Sequence, residues 1–384
     1  MTAAWAILIL SGAVALYILF GYPLLLALVP FKAAPAVRKD LSHQPAVTLI
    51  MAVYNGSAHI RAKLETILAL DYPKELFQMI VVSDGSTDDT EAIVREYSDR
   101  GVHLLVAPHG GKAAALNLAF RQASGDLLFF TDVRQWLDPM ALRHLAANFA
   151  DPTVGAVTGE MRLRKGDAGE QATMDLYWRY ELWARERQSR IDSIFTATGC
   201  IYAMRRNLAA PLRPDTLSDD AALPLTAFFA GYRVIFDPQA IAVDDPAVAG
   251  TEFRRRFRNL AGLWQTFSRF PQLFSSADRM RFHFLSHKFG RLVLPWAVSF
   301  AIVGTLLLPD STLRWALLAA EAMFFLLALA DGFFPEKFPL RRLSSPAHTF
   351  LEMNVASMAG LAVFFMEPTR LWLPTRVIND QKLK

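Results

Sequence analysis

The chain has 384 residues, 53% of them hydrophobic, with 28 phenylalanines and 20% charged residues, which is too apolar for an ordinary soluble domain of this length and excludes disorder. Its 40 Lys and Arg against 36 Asp and Glu leave a net charge of +4 scattered along the chain, which argues against a nucleic-acid partner and suits anionic lipid headgroups. The single cysteine excludes a disulfide framework and a cysteine-cluster zinc site, and the eight histidines show no metal-ligand spacing.

In chain order, the first feature is an uncharged stretch from Trp5 to Pro30, since no charged side chain precedes Lys32. Its 26 residues would make a helix of about 39 Å, enough to cross a bilayer with tilt. A cleaved secretory leader is the competing reading, but Ala34-Pro35-Ala36 is a poor cleavage site and the amino end lacks Lys or Arg. Residues 1–31 therefore read as a transmembrane anchor. Lys32, Arg38 and Lys39 follow it, so the positive-inside rule places the amino terminus outside and the next region in the cytoplasm.

Residues 32–250 alternate between two periodicities. Buried-strand runs at Ala46–Tyr54, Gln78–Asp84, Val102–Val106 and Asp126–Asp132 are separated by helical stretches at Ala58–Leu70, Thr87–Asp99, Gly111–Ala123 and Asp138–Ala150. This rhythm predicts an α/β fold, a doubly wound and mostly parallel sheet with ligands beyond the carboxyl ends of its strands. Those ends are Tyr54-Asn55, Asp84-Gly85 and Asp132-Val133-Arg134.

Two later helices, Ala172–Arg190 and Glu252–Phe270, mix aromatics with arginines, as in Arg254-Arg255-Arg256-Phe257-Arg258, and residues 251–288 read as amphipathic interfacial helices. Three apolar segments follow at Phe289–Pro309, Leu313–Ala330 and His348–Met366, so residues 289–367 read as carboxyl-terminal transmembrane helices. Lys337, Arg341 and Arg342 assign the loop before the last of them to the cytoplasm. Three crossings would leave Arg370, Arg376, Lys382 and Lys384 of the tail, 368–384, outside against the same rule, unless the last segment is interfacial or re-entrant.

The chemistry is carried by a series of short motifs. In Ile80-Val81-Val82-Ser83-Asp84-Gly85-Ser86-Thr87-Asp88-Asp89-Thr90 a carboxylate at a strand end precedes Gly and a capped helix, where it can accept from a nucleobase N–H while the helix entrance faces phosphate. A turn aspartate before a capped helix has the same appearance. Next come Gly110-Gly111-Lys112-Ala113-Ala114-Ala115-Leu116-Asn117, Thr131-Asp132-Val133-Arg134-Gln135, Thr198-Gly199-Cys200, Leu217-Ser218-Asp219-Asp220 and Arg255-Arg256-Phe257-Arg258-Asn259. A lysine at a helix start opposes the local dipole, which favours a ligand there over a solvated lysine.

This order of motifs, over roughly Val47 to Gln265, resembles the family-two glycosyltransferases of the A-type nucleotide-sugar fold, of the kind that includes cellulose, hyaluronan and poly-N-acetylglucosamine synthases. The resemblance implies a membrane-bound inverting glycosyltransferase of the inner membrane, its catalytic domain cytoplasmic, moving a sugar from a nucleotide diphosphate donor, UDP-linked, to a glycan or lipid-linked acceptor. Asn55, Asp84, Lys112, Asn117, Asp132, Arg134 and Arg258 are then the expected donor-binding residues, Asp220 the catalytic base with Asp219 as its orienter, and Gly199, Cys200, Trp264 and Gln265 the acceptor side.

Two departures from the family pattern stand out. Arg134 replaces the second carboxylate of the family's Asp-x-Asp, so Mg2+ or Mn2+ would have Asp132 as its only protein carboxylate there, and Arg134 would either pair with diphosphate or salt-bridge a framework carboxylate such as Asp126. Asn259 stands where processive members carry Trp, although Trp264-Gln265 follows. Membrane lipids and export or synthase subunits are the further partners implied. Two alternatives stay open: transfer to polyprenyl phosphate, whose acceptor oxygen needs no base, and a non-catalytic nucleotide-binding membrane scaffold.

Overall fold

A computed structural model describes residues 2–164, 171–245, 252–335 and 338–367. They fall into two compact units, one made of 32–164 and 185–245, the other of 2–31, 171–184 and 252–366.

The first unit is built on an eight-stranded sheet: β1 (Val47–Val53), β2 (Phe77–Asp84), β3 (Val102–Ala107), β4 (Leu127–Phe130), β5 (Trp136–Leu137), β6 (Val154–Leu163), β7 (Tyr202–Arg205) and β8 (Arg233–Asp244), in the order β3-β2-β1-β4-β7-β6-β8-β5. Strands β3, β2, β1 and β4 are parallel, as the alternation with helices predicts. Helices Thr90–Arg95, Lys112–Gln122 and Ala141–Ala147 fall within the expected helical stretches, and Ser57–Leu68 starts one residue before its own. The strand runs lack polar alternation because helices cover both faces of the sheet: Val47, Leu49, Ile50, Met51 and Phe129 are all buried. Each such side chain contributes about 1.5–3 kcal/mol.

The other half of the sheet is mixed. Strand β7 runs antiparallel to both neighbours, β4 and β6, while β6 and β8 are parallel to each other and the two-residue β5 closes the edge antiparallel to β8. The mostly parallel, doubly wound expectation therefore describes the first half, and the reversal at β7 carries the chain from Thr198-Gly199-Cys200 back along β4.

The second unit is helical. Ala3–Leu28, Arg281–Leu306 and Thr312–Phe333 are long and apolar enough to cross a membrane. Gly304 lets the first two approach closely, since a Cβ there would lie 2.8 Å from the Leu8 backbone nitrogen. Glu321, within the third, accepts a hydrogen bond from Thr305 at 2.8 Å, so the polar group predicted inside an apolar helix is shielded by its neighbour. The segment at His348–Met366 differs from the expected third carboxyl-terminal crossing. It forms the end of a helix, Arg341–Ala359, and a 3₁₀ turn at Gly360–Phe364, and is not among the described helices apolar enough to span. Glu352 on it pairs with Arg256 of helix Glu252–Arg269. Glu181 likewise gathers His287, Lys288 and Arg291 around its carboxylate. The tail, 368–384, and its four basic residues lie outside the described residues.

Candidate active site

Strand β2 ends on Asp84, and Gly85 then turns with φ +71°, a conformation glycine adopts without strain; a Cβ there would meet the His109 backbone nitrogen at 2.6 Å. The buried Asp84 carboxylate accepts hydrogen bonds from the amides of Gly110 at 2.8 Å and Gly111 at 3.0 Å, and lies 3.0 Å from His109 Nδ1. Asp84 thus shapes the glycine turn that opens helix Lys112–Gln122. The Tyr54 ring stacks on His109 with centroids 4.4 Å apart. Asn55 takes a left-handed backbone, φ 49°, and its side-chain oxygen accepts from the Thr87 amide at 2.8 Å, which ties the end of β1 to the turn after β2.

Lys112, first residue of its helix, reaches the centre of the site. Its ammonium lies 2.9 Å from Asp132 and 3.1 Å from Asp219. Burial works against that charge, but the two carboxylates outweigh it and hold the lysine above its ordinary range. Asp132 stands just beyond β4, and Asp219 opens helix Asp219–Phe229, where Tyr202 of β7 donates to its other oxygen at 3.0 Å. Asp220 follows. Burial, reinforced by the charge of Asp219, pushes its carboxyl up to about 6. Gly199 packs against it, with a Cβ there 3.4 Å from Asp220 Oδ2, and Asp220's carbonyl accepts from the Ala197 amide at 2.8 Å. Asp132, Asp219 and Asp220 therefore meet beyond the strand ends around Lys112, while Asp84 holds the turn from which that helix starts.

Other expected site residues are engaged elsewhere. Asn117 clamps the backbone of Leu212 from both sides, donating to its carbonyl at 2.7 Å and accepting from its amide at 2.8 Å. Arg134 makes a two-pronged pair with the buried Asp244, at 2.9 and 2.5 Å, so it is a framework salt bridge, to Asp244 where the sequence suggested Asp126. The Cys200 side chain lies in the hydrophobic core, and it is its carbonyl that takes part near the site, accepting from Thr131 at 2.9 Å. Arg258, Trp264 and Gln265 belong to the helical unit. There the Trp264 indole donates to the Ser357 carbonyl at 3.0 Å between Phe289 and Phe364, Gln265 is buried, and Arg258 is half-buried. Packing thus accounts for Trp264 where the sequence suggested acceptor stacking.

Reading the sequence missed Lys63, Tyr202 and Asp244. Lys63 had a signal: it occupies the helical face of Ile60, Leu64 and Ile67, where only apolar side chains are expected.

For a divalent cation the donor set is Asp132. Among the described residues no group of three or more His, Cys, Asp or Glu side chains is arranged to hold a metal, and Lys112 already supplies positive charge between Asp132 and Asp219. One carboxylate fits a Mg2+ or Mn2+ ion that takes its other oxygens from a diphosphate and water.

Residues 48–212 match the family described as Glycosyl transferase family 2. The poly-beta-1,6-N-acetyl-D-glucosamine synthase of Staphylococcus aureus (strain COL) is 27% identical over 245 residues, which is 62% of this chain and 58% of that protein. The probable glycosyltransferase YdaM of Bacillus subtilis (strain 168) is 27% identical over 269 residues, 65% and 63% of the two chains. The chain thus matches less than two thirds of the length of these relatives. Among solved structures, the mannosyltransferase PcManGT from Pyrobaculum calidifontis, in complex with GDP-Man and Mn2+, superposes with a TM-score of 0.71 and 24% identity over 92% of this chain and 99% of that one, a likeness of fold.

Proposed function

From the premise that the chain carries a family 2 glycosyltransferase domain, an enzyme fold related to polysaccharide synthases, we propose that it is a membrane-bound inverting transferase that passes a sugar from a nucleotide diphosphate, UDP-linked by our reading, to a hydroxyl of a glycan or lipid-linked acceptor at the cytoplasmic face. The observation that carries this reading is the Lys112 ammonium between Asp132 and Asp219, directly beside Asp220. Asp220 takes the proton of the acceptor hydroxyl as its oxygen bonds to the anomeric carbon, and the bond from that carbon to the diphosphate breaks on the opposite face. Lys112, held charged by its neighbours, faces the negative charge that develops on the departing diphosphate. Asp219, fixed by Tyr202 and Lys112, orients the segment that carries the base. Asp84 engages the amides of Gly110 and Gly111 and so fixes the turn that opens helix Lys112–Gln122, whose entrance receives phosphate. A divalent cation, held by Asp132, would supply further charge neutralisation on the diphosphate.

The same proposal places residues 1–31 as an anchor, 32–250 as the cytoplasmic catalytic domain, 251–288 as interfacial helices in contact with lipid, and 289–367 as the carboxyl-terminal membrane region. Two carboxyl-terminal crossings, at Arg281–Leu306 and Thr312–Phe333, return the chain to the side on which the anchor leaves it. The basic residues Arg341 and Arg342, and those of the tail, then fall on the cytoplasmic side, which removes the conflict that three crossings create.

The test is release of nucleoside diphosphate by the purified full chain in detergent, with UDP- and GDP-linked sugars, with and without Mn2+. Consumption of at least one donor, dependent on an added glycan or lipid acceptor, is expected; no consumption under any condition would favour a nucleotide-binding scaffold.

A further inference from the structure

Lys63 is a fully buried lysine, 1% exposed, that the chemistry above leaves unused. An ammonium in a core is tolerated only where its protons are received, and here its Nζ lies 2.6 Å from Thr131 Oγ1 and 2.7 Å from the Gln135 carbonyl. Those two acceptors bracket Asp132, Val133 and Arg134. The Thr131 hydroxyl has one proton, which goes to the Cys200 carbonyl at 2.9 Å, so its lone pair receives the Lys63 N–H and the relay has one direction: Lys63 to Thr131 to Cys200. On the far side of the same loop, Arg134 and the Gln135 amide both bind Asp244. Asp132 is the one acidic side chain of the loop and points to Lys112. Cys200 in turn follows Gly199, which packs on the carboxylate of Asp220.

We propose that Lys63 is a positioning residue for transfer: through Thr131 its ammonium sets Asp132 on the donor side and the Gly199–Cys200 wall beside Asp220 in one register, without touching substrate. This rests on the glycosyltransferase reading given above. A loop aspartate and a wall in the turn before β7 are joined through Thr131, and an error of about 1 Å in such an arrangement can cost about 10²-fold in rate.

The experiment compares Thr131→Val, Thr131→Ser and Lys63→Met in the full chain. T131V and K63M are expected to lose about tenfold or more in kcat, T131S, which keeps the hydroxyl, to recover to within about twofold of wild type, and the K63M/T131V double variant to be no worse than either alone. A T131V protein with wild-type kcat, altered only in melting temperature, would overturn the proposal. If K63M does not fold, the T131V and T131S pair decides. If the wild-type chain consumes no donor, the functional reading has failed and Lys63 is judged by binding of UDP with Mn2+ alone: an affinity weakened about threefold or more in T131V and restored in T131S supports the positioning role, and equal affinities overturn it.

Discussion

Asp220 is the residue on which the proposed chemistry turns. Because burial and the adjacent Asp219 push its carboxyl up to about 6, it is a stronger base than a surface aspartate, and the deprotonated form able to accept a proton predominates above that pH. The acid limb of kcat/KM is therefore expected near pH 6, with activity rising as pH increases through it. Asp219→Asn removes the like charge and leaves Lys112 with one carboxylate fewer, so the limb should move to lower pH; a limb that stays in place would show that Asp219 does not act on the base. The site residues legible in the sequence, Asp84, Lys112, Asp132, Asp219 and Asp220, share a property: each sits at a strand end or helix start, where local pattern locates it. Asp244 and Tyr202 also sit at strand ends, but no local motif marks them, because their roles arise from tertiary partners, Arg134 across 110 positions and Asp219 on the next helix. Asn117 and Cys200 were legible as motif members, but their side chains serve Leu212 and the core.

At the level of elements, the parallel half of the sheet was readable because helices on both faces make its strands uniformly apolar, whereas β7 is four residues long and its antiparallel placement is decided by pairing with β4 and β6. The loop between β4 and β5 is held by the Arg134–Asp244 pair, in which Asp244 is inaccessible to solvent. Removing one partner leaves the other charge buried, so Arg134→Met is expected to lower stability by about 3–5 kcal/mol, read as a fall in denaturant midpoint, while Arg134→Met combined with Asp244→Asn recovers part of it. A single variant as stable as wild type would mean that water replaces the guanidinium. This pair also accounts for an arginine at a position where the resemblance leads one to expect a carboxylate: its charge is neutralised by the framework, so it adds none to the proposed donor site.

At the scale of the whole molecule, the apolar composition resolves into a helical unit with three candidate spans and a second unit built on the sheet. The amino-terminal span was plain in the sequence, since it has no charge at all. The last segment was misleading because its apolar end continues a helix that begins at Arg341 and carries Glu352, whose ion pair with Arg256 is invisible without tertiary structure. The proposed topology puts Ser311, in the turn between two spans, outside, and Ser42 inside. With Cys200 buried, S311C should react with a membrane-impermeant thiol reagent in intact cells and S42C only after permeabilisation; the reverse pattern would invert the orientation.

In the proposed mechanism the carboxylates gathered around Lys112 divide their work between donor and acceptor, with Asp220 serving the acceptor. Its most direct measurement is the Asp220→Asn full chain assayed in parallel for turnover and for nucleoside diphosphate affinity. Transfer is expected to fall by about 10²-fold or more while the affinity stays within about twofold of wild type; turnover at the wild-type rate, or affinity lost together with turnover, would contradict this division of roles.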